Sequence, residues 1–237
     1  MSEPFHFKKF SIAQDRCAMK IGTDGILLGA WADVSGAGTI LDIGTGTGVI
    51  AIILAQRAEQ AIIHGVEIEP DACEQANENM QRSPWAIRLT AFPSPIQDFV
   101  HSSKTKYDLI VSNPPFFSGG TFSSSQDKTS VRHTIKLPHG DLLTGARNLL
   151  KKDGKFCAIL PHLEGLRFKE MAGNYNLFCS RMMEVRSKPG KPIERLLLQF
   201  ERDIKPLVKE ELTIQHESHN NWTQEFLALT SDLYASL

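Results

Sequence analysis

The sequence contains 237 residues, of which 41% are hydrophobic, and its formal net charge is −1. This length is sufficient for the core of one large α/β domain without disulfides or metal. The near-zero net charge excludes a basic field over the whole surface, so composition alone indicates no nucleic-acid partner. The four cysteines are scattered without a C-x-x-C pair, which argues against a zinc site and a disulfide scaffold. We therefore expect no metal.

The first residues and the apolar stretches indicate where the protein acts. Residues 1–10 contain Lys8 and Lys9 but no apolar signal-peptide core. The most apolar stretch, Val49–Ala55, is too short to cross a bilayer. We expect a cytoplasmic protein with no membrane partner. The sequence leaves the oligomeric state open, with a monomer as the default expectation.

Helices and strands alternate along the first half of the chain. After an irregular segment up to Ile21, apolar residues at helical spacing predict a helix at Asp24–Ala32. The elements that follow are a strand at Thr39–Ile43, a helix at Gly48–Arg57, a strand at Ala61–Glu67, a helix at Pro70–Gln81, and strands at Ala86–Ala91 and Tyr107–Ser112. A long polar loop from Phe117 to about Lys136 comes next.

The second half continues this alternation. It contains a helix at Gly140–Leu150, a strand at Lys155–Leu160, a helix at Leu163–Ala172, strands at Leu177–Arg186 and Glu194–Glu201, and an amphipathic helix at Trp222–Tyr234. The continuous apolar strands predict a doubly wound α/β fold with a mostly parallel, seven-stranded sheet. The last two strands flank a turn at 187–191, so the last strand should be antiparallel. We divide the chain into an N-terminal extension (1–38), a core (39–202) and a C-terminal strand/helix appendage packed on the core (203–237).

A glycine-rich motif lies where the first strand turns into the next helix. Residues 41–48 read LDIGTGTG, so Gly44, Gly46 and Gly48 permit a tight turn and let a ligand approach N–H groups at a helix N-terminus. The G-x-G-x-G spacing after Asp42 fits a pyrophosphate less well than the dinucleotide motif G-x-G-x-x-G. The motif therefore favours a ligand with a charged amino-acid end over a dinucleotide. An example is S-adenosylmethionine, whose ammonium could pair with Asp42 through water or a carbonyl.

Two acidic residues follow the next two strands. Glu67 lies about 20 residues after the glycines, where doubly wound folds place an acid that binds ribose hydroxyls. Asp98 follows the third strand, where it could accept from an adenine amine or simply cap a loop.

Residues 113–116 read Asn-Pro-Pro-Phe and follow the fourth strand directly. The two prolines, Pro114 and Pro115, remove two backbone donors and fix two φ angles, which sets the direction of the carbonyls. Asn113 adds an amide carbonyl, and Phe116 adds an aromatic face. Alone, this sequence is also an ordinary strand-exit turn. All four segments, however, fall on the sheet edge where this architecture binds ligands, so we expect them to form one site that holds a flat amine.

These motifs, in this order, resemble the class I S-adenosylmethionine-dependent methyltransferases that methylate amino groups, over about residues 39–160. Residues 14–31 (QDRCAMKIGTDGILLGAW), 116–117, 132–133 and 189–191 narrow the resemblance to the bacterial tRNA1(Val) adenine-N6 methyltransferases, over nearly the whole chain. The resemblance implies S-adenosylmethionine as the donor and S-adenosylhomocysteine as the product. It implies the adenine 3′ of the anticodon, in the anticodon loop of a tRNA, as the acceptor.

The resemblance also implies residue roles. The carbonyls of Asn113 and Pro114 accept from N6, and Phe116 stacks on the base. Lys20, Thr23 and Asp24 lie beside the methionine end of the donor, which the N-terminal extension covers; a helix cap is the alternative for Thr23 or Asp24. The candidate RNA contacts, each of which could instead be solvated surface, are Arg132, His133, Lys188, Lys191 and Arg195.

Other functions remain open on the sequence. Asn-Pro-Pro-Phe also suits N2-methylation of guanine in ribosomal RNA, and a protein glutamine amide presents the same flat NH₂ group. A non-catalytic RNA-binding module is the alternative from a different class, and it predicts no donor binding.

Overall fold

The computed structural model describes residues 3–17, 19–115, 137–218 and 221–234. The strands of these residues are β1 (Phe5–His6), β2 (Ser11–Ile12), β3 (Thr39–Ile43), β4 (Ile62–Glu67), β5 (Leu89–Pro93), β6 (Tyr107–Ser112), β7 (Leu150–Pro161), β8 (Phe178–Arg186), β9 (Arg195–Glu201) and β10 (Val208–Thr213). The helices are α1 (Thr23–Trp31), α2 (Val49–Arg57), α3 (Pro70–Arg82), α4 (Ile96–Ser102), α5 (His139–Leu149), α6 (His162–Ala172) and α7 (Gln224–Thr230).

Eight strands form one sheet in the order β10-β8-β9-β7-β6-β3-β4-β5. Neighbouring strands are parallel except where β9 pairs with β7 and β8. The prediction of a doubly wound, mostly parallel sheet whose last core strand is antiparallel is thus confirmed. The eighth strand, β10, lies in the segment 203–237, for which a strand and a helix were predicted, and it adds one strand to the predicted seven-stranded sheet. Three of its six residues are exposed at the sheet edge, so it lacks the continuous apolar pattern of the inner strands.

The strand order places the predicted site segments side by side. After β5 the chain returns to form β6 on the other side of β3, so the order reverses between β3 and β6. Ligands of open α/β sheets bind at the carboxyl ends of the strands at such a reversal. The glycine motif, Glu67 and Asn113 follow or end β3, β4 and β6, and therefore converge there.

Several elements differ from the predictions. The segment expected to be irregular up to Ile21 contains the short antiparallel pair β1–β2. Helix α4 was not predicted, because its seven residues directly follow Pro95 and resemble a continued loop. The strand predicted from residue 86 is wrong in its first half, where residues 86–88 form a 3-10 turn before β5. The predicted C-terminal helix is shorter at both ends. Trp222 forms a β-bridge with Gln215, and the Thr223 side chain caps α7 by accepting from the N–H of Phe226 at 3.2 Å.

Helices cover both faces of the sheet. One core lies against α1, α2, α3 and α7, and the other lies against α4, α5 and α6. Residues Val49–Ala55 of α2 are all buried, since α1 packs on the side of α2 that would otherwise meet solvent. The N-terminal helix is therefore part of the folded core, although the three-part division at residues 38 and 202 stays a prediction.

A close contact fixes α1 against α2. A Cβ added at Gly29 would lie only 2.9 Å from Cγ2 of Ile53. Arg57 Nη1 donates to the carbonyls of Gly29 and Ala32, each at 2.7 Å, and so satisfies acceptors at the C-terminal end of α1. Helix α1 therefore has one position on the core, and residues 20–24 before and at its start are held with it.

None of the described helices has the length and apolar character needed to span a membrane. In the same residues, no group of three or more His, Cys, Asp and Glu is arranged to hold a metal ion.

We expect Gly29→Ala to lower the free energy of unfolding by about 1 kcal/mol, the centre of the range that overpacking and helix propensity give together. The added methyl group overpacks the contact with Ile53, which costs about 1–3 kcal/mol. Alanine is favoured over glycine in a helix by about 0.5–1 kcal/mol, which offsets part of this cost. Urea denaturation followed by circular dichroism measures the change.

Gly173→Ala is the matched control. Gly173 has helical backbone angles, and a Cβ there would meet no atom within 4 Å. We expect this variant to be as stable as the wild type or slightly more stable. Equal stability of the two variants would contradict the assigned contact between α1 and α2.

Candidate active site

Three glycines shape the loop between β3 and α2. Gly44, Gly46 and Gly48 have φ angles of 73°, 53° and 81°, a left-handed conformation that residues with a Cβ rarely adopt. The N–H groups of Gly44 and Thr45 donate to the Val66 carbonyl at 2.8 and 3.1 Å, which ties the loop to β4. The G-x-G-x-G spacing thus reflects a turn in which every second residue has a positive φ angle.

A cavity of about 400 Å³, the main cavity, opens beside this loop. Its walls include Gly44, Gly46, Glu67, residues 94–97 and 113–115, and residues 16, 17, 137 and 138. A Cβ added at Gly44 or Gly46 would meet no atom within 4 Å, so the loop presents bare backbone to open space. A ligand can therefore approach the peptide groups directly.

Two predicted residues of this loop do not line the main cavity. Gly48 faces α3, where an added Cβ would lie 3.4 Å from Cε of Met80, so this glycine allows close packing. Asp42 is fully buried beneath the loop, where its Oδ2 accepts from the Thr45 hydroxyl at 2.7 Å. Its Oδ1 lacks a partner with hydrogen-bond geometry in the described part of the chain. Burial raises the pKa of the Asp42 carboxyl to about 7, and the Glu67 carboxylate adds to the rise.

Glu67 connects the end of β4 to the glycine loop. Its Oε2 accepts from the N–H of Gly46 at 2.9 Å, and its Oε1 accepts from the N–H of Glu69 at 3.1 Å. The side chain lines the main cavity, and each carboxylate oxygen has a further lone pair. Glu67 can therefore accept from ligand hydroxyls while it holds the loop in place.

Asn113 follows the last residue of β6. The Ser112 hydroxyl donates to the Ile43 carbonyl at 2.8 Å and so holds the ends of β6 and β3 together. Asn113 Oδ1 is buried, and no described residue donates to it. A buried acceptor without a partner costs about 1–3 kcal/mol, so a ligand N–H that reached this oxygen would offset that cost. Pro114 and Pro115 have no N–H, so neither adds a competing donor.

Asn113 also lines a second cavity, of about 490 Å³. Lys20, Thr23 and Arg195 line this second cavity and not the main one. Lys20 and Thr23 were predicted beside the donor. In the structure, Lys20 and Thr23 line the same cavity as Asn113, whereas the glycine loop lines the other cavity.

Asp98 is not brought to either cavity. It lies exposed in the first turn of α4, and the preceding residues 94–97 line the main cavity instead. The cause is the unpredicted helix, which begins at Ile96 and carries the chain away from the site. Phe116, Arg132 and His133 lie outside the described residues.

Lys188 and Lys191 lie near the turn between β8 and β9, and neither lines the main or the second cavity. Lys188 Nζ donates to the Glu217 carbonyl at 3.0 Å, and Lys191 is exposed. Their predicted contact with RNA stays a prediction.

Two residues of α3 that the sequence did not single out fix the N-terminal segment. Asn79 Nδ2 donates to the carbonyls of Ala13 and Thr47, and its Oδ1 accepts from the N–H of Ala13, all at 2.9 Å. Gln75 Oε1 accepts from the N–H of Arg16 at 3.1 Å. Both side chains are buried, and their four-residue spacing within a helix was the available signal. These bonds place residues 16 and 17 on the wall of the main cavity.

The family model of the methyltransferase small domain matches residues 20–175. Proteins of Yersinia pseudotuberculosis serotype O:3 (strain YPIII) and Yersinia pestis (strain Pestoides F) are each 43% identical to this chain over 231 residues. The alignments cover 97% of this chain and 91% and 93% of those proteins. Both are named tRNA1(Val) (adenine(37)-N6)-methyltransferase.

Solved structures share the fold. One from Agrobacterium tumefaciens, described as a predicted O-methyltransferase, aligns with a TM-score of 0.70 at 16% identity, over 91% of this chain and 98% of that one. A ribosomal protein L11 methylase from Lactobacillus delbrueckii subsp. bulgaricus aligns with a TM-score of 0.53 at 17% identity, over 76% and 77% of the two chains. The class I methyltransferase architecture is thus established.

We expect Asp42→Asn to change how stability depends on pH. The Asp42 pKa of about 7 in the folded protein exceeds the ordinary value of about 3.9, so between these values the folded state binds the extra proton. Stability of the wild type should therefore fall as pH rises to about 7, and Asp42→Asn should lack this loss. The variant should gain on the order of 2–3 kcal/mol relative to wild type between pH 5 and pH 8, at 1.36 kcal/mol per pKa unit. Denaturation of ligand-free protein at both pH values measures it.

Asp108→Asn is the control. Although burial opposes the shift, Lys151 and the N–H groups of Thr39 and Gly38 hold the pKa of Asp108 below its ordinary value. The Asp108 carboxylate therefore loses its contribution to stability only below pH 5. The difference in free energy of unfolding between Asp108→Asn and wild type should be the same at pH 5 and pH 8. A pH-independent difference for Asp42→Asn as well would contradict the raised pKa.

Proposed function

This chain belongs to the family of the tRNA1(Val) (adenine(37)-N6)-methyltransferases, and we propose that it transfers a methyl group from S-adenosylmethionine to N6 of adenine 37, which lies 3′ of the anticodon of a tRNA. One observation carries the proposal. The buried Asn113 Oδ1 has no donor in the described chain, and it lies where two cavities meet. We further propose that the protein acts in the cytoplasm, on the anticodon loop.

The main cavity fits the donor. Bare backbone at Gly44 and Gly46 leaves room for the methionine portion, and Glu67 offers carboxylate oxygens to the ribose hydroxyls. Pro95 and Ile96 supply apolar surface for the adenine ring. S-adenosylmethionine, when bound, supplies an electrophilic methyl group on a sulfonium. Asp42 stabilises the loop from beneath, and its proposed influence on the donor is indirect.

The residues at the end of β6 position the acceptor nitrogen. The lone pair of adenine N6 is delocalised into the ring, which makes this amine a poor nucleophile. Hydrogen bonds from its two N–H groups to Asn113 Oδ1 and to the Pro114 carbonyl favour the pyramidal form, whose lone pair can accept the methyl group. Holding the two reactants in line could account for roughly 7–11 kcal/mol of the barrier. The proposed stacking of Phe116 on the base would add about 1–3 kcal/mol.

No strong base is required for this transfer. The proton is acidified only after N6 carries the methyl group, and it can then leave to solvent. Cys17 lines the main cavity, but burial and the nearby Glu67 carboxylate raise its pKa to about 11, so it stays a neutral thiol at neutral pH. Nucleophilic catalysis by this thiol is thereby disfavoured.

The acceptor chemistry suits a single-stranded base. A base in an anticodon loop is not paired, so turning it into a cavity costs less than extruding it from a duplex. Arg132, His133, Lys188, Lys191 and Arg195 are the proposed contacts to the RNA backbone.

The direct test is methylation of tRNA that lacks the modification. Purified protein, S-adenosylmethionine and this tRNA should yield N6-methyladenosine, measured by mass spectrometry of the digested nucleosides. N2-methylguanosine in ribosomal RNA, or a methylated protein glutamine, formed in place of it would refute the assigned substrate. Calorimetry that detects no binding of S-adenosylmethionine would instead favour a non-catalytic RNA-binding module.

We expect Asn113→Ala to lower kcat at least about 100-fold, the scale of losing one positioned hydrogen bond to the reacting group. Its Kd for S-adenosylmethionine should stay within about twofold of wild type. Asn148→Ala, an exposed asparagine on α5, is the matched control and should change neither quantity. An equal loss of turnover and donor affinity would assign Asn113 to the donor pocket.

We expect Asn79→Ala to weaken binding of S-adenosylmethionine by about tenfold, because it leaves three backbone groups of the N-terminal segment and the glycine loop without partners. Isothermal calorimetry measures the change. Gln81→Ala, at an exposed position of the same helix, should have no effect. Unchanged affinity in Asn79→Ala would contradict the proposal that residues 1–38 cover the donor.

A further inference from the structure

We propose that the second cavity receives the target nucleotide, that Arg195 binds a phosphate of this nucleotide, and that Asp24 positions Arg195. The inference rests on the proposed function, since it assumes an RNA acceptor. It adds a location for the acceptor and a role for the start of α1 that the transfer chemistry alone does not require.

The second cavity lies at the carboxyl ends of the strands, between Asn113 after β6 and Arg195 at the start of β9. Ser112 at the end of β6 pairs with Ala158 of β7, and Arg195 at the start of β9 pairs with Pro161, the last residue of β7. The partner of Arg195 on β7 is thus three residues closer to the carboxyl end of β7 than the partner of Ser112. Arg195 therefore lies past the carboxyl end of β6, and β9 is two strands away from β6 in the sheet.

The composition of the walls separates the second cavity from the main one. The two cavities share Met19 and Asn113, but the second contains neither the glycine loop nor Glu67. Its volume of about 490 Å³ lies in the range of roughly 300–1,000 Å³ for small-molecule sites. The donor therefore fills the main cavity, and Asn113 lies at the boundary across which the methyl group passes.

The chemistry of the second cavity suits a nucleotide. Met19, Leu27 and Val185 supply apolar surface for a base, while Lys20 and Arg195 supply positive charge for a phosphate. A guanidinium is planar and always charged, which matches a phosphate better than an ammonium does. The walls also contain the carboxylates of Asp24 and Glu194, so the cavity combines apolar surface, two cations and two carboxylates around one buried amide acceptor. Asp24 is the ion-pair partner of Arg195, which leaves the guanidinium charged and held beside the space for a phosphate.

Asp24 determines where this guanidinium lies. Arg195 Nε donates to Asp24 Oδ2 at 2.8 Å, and Arg195 Nη1 donates to the Glu194 carbonyl at 3.0 Å. The side chains are 21% exposed for Asp24 and 31% exposed for Arg195, so solvent only partly screens the pair. Asp24 belongs to α1, which Gly29 and Arg57 fix on the core. The pair therefore sets the position of Arg195 relative to Asn113.

The test compares Arg195→Ala, Arg195→Lys and Asp24→Asn with wild type. For each protein, Kd for fluorescently labelled tRNA is measured between 50 and 300 mM salt, together with KM for tRNA, kcat and Kd for S-adenosylmethionine. We expect Arg195→Ala to raise Kd and KM for tRNA about tenfold and to reduce the slope of log affinity against log salt by about 1, as for one lost phosphate contact. Its Kd for S-adenosylmethionine should stay within about twofold.

The other variants separate charge from position. Arg195→Lys should restore the salt slope and recover part of the affinity, which also shows that the site tolerates substitution. Asp24→Asn should raise KM for tRNA about threefold with an unchanged salt slope, because the guanidinium keeps its charge but is less fixed. Arg186→Ala is the control, since Arg186 forms an ion pair with Glu211 outside both cavities. It should leave all four quantities unchanged.

Two results would overturn the proposal. A comparable loss of affinity for S-adenosylmethionine in Arg195→Ala would mean that the second cavity holds the amino-acid end of the donor. Unchanged tRNA affinity and salt slope would mean that the ion pair is only structural. Because Kd for tRNA is measured without turnover, both results can be interpreted even if the methylated atom is not N6 of adenine.

Discussion

The left-handed backbone at Gly44 and Gly46 is the constraint on which the candidate site depends. It turns the chain away from β3 within a few residues, so that the loop hydrogen-bonds to the end of β4 and its peptide groups face the main cavity. A residue with a Cβ would cost roughly 1–2 kcal/mol in each such conformation. It would also fill space in which the added atom now meets nothing. Glu67 stabilises the same turn through the N–H of Gly46, and therefore one carboxylate both shapes the loop and lines the cavity.

A second feature of the candidate site is that the side-chain amide of Asn113, the proposed partner of the acceptor nitrogen, carries no charge. Asn113 and the two prolines offer carbonyl oxygens, and the main cavity that they line also contains a neutral thiol, Cys17, and a carboxylate, Glu67, that accepts from backbone N–H groups. Such a site distinguishes its substrate by the position of two N–H donors rather than by charge. Under the proposed function, activation of the amine requires no charge at Asn113, and a net charge of −1 is compatible with an RNA substrate if a few positioned cations contact its phosphates.

The sequence predicted those features whose cause is local. The glycine turn and the proline pair follow from allowed φ angles and missing N–H groups, and the mostly parallel, doubly wound character of the sheet follows from alternating apolar strands and helices. The missed features depend on pairs that are distant in the chain. Asn79 meets Ala13 across 66 residues, and Asp24 meets Arg195 across 171. No pattern within a window of sequence reveals such partners. Helix α4 was missed for a related reason, since its seven residues are too few for a clear helical period, and Asp98 was consequently placed in the site.

Cys17 on the wall of the main cavity has a consequence for oxidative chemistry. Peroxides and alkylating agents react with thiolates, and a thiol with a pKa of about 11 is ionised to only on the order of 10⁻⁴ at pH 7. The Glu67 carboxylate that contributes to this pKa is the group that also holds the glycine loop. Burial, together with the negative charge of Glu67, thus keeps this thiol protonated at neutral pH, and we expect it to react slowly with peroxides and alkylating agents.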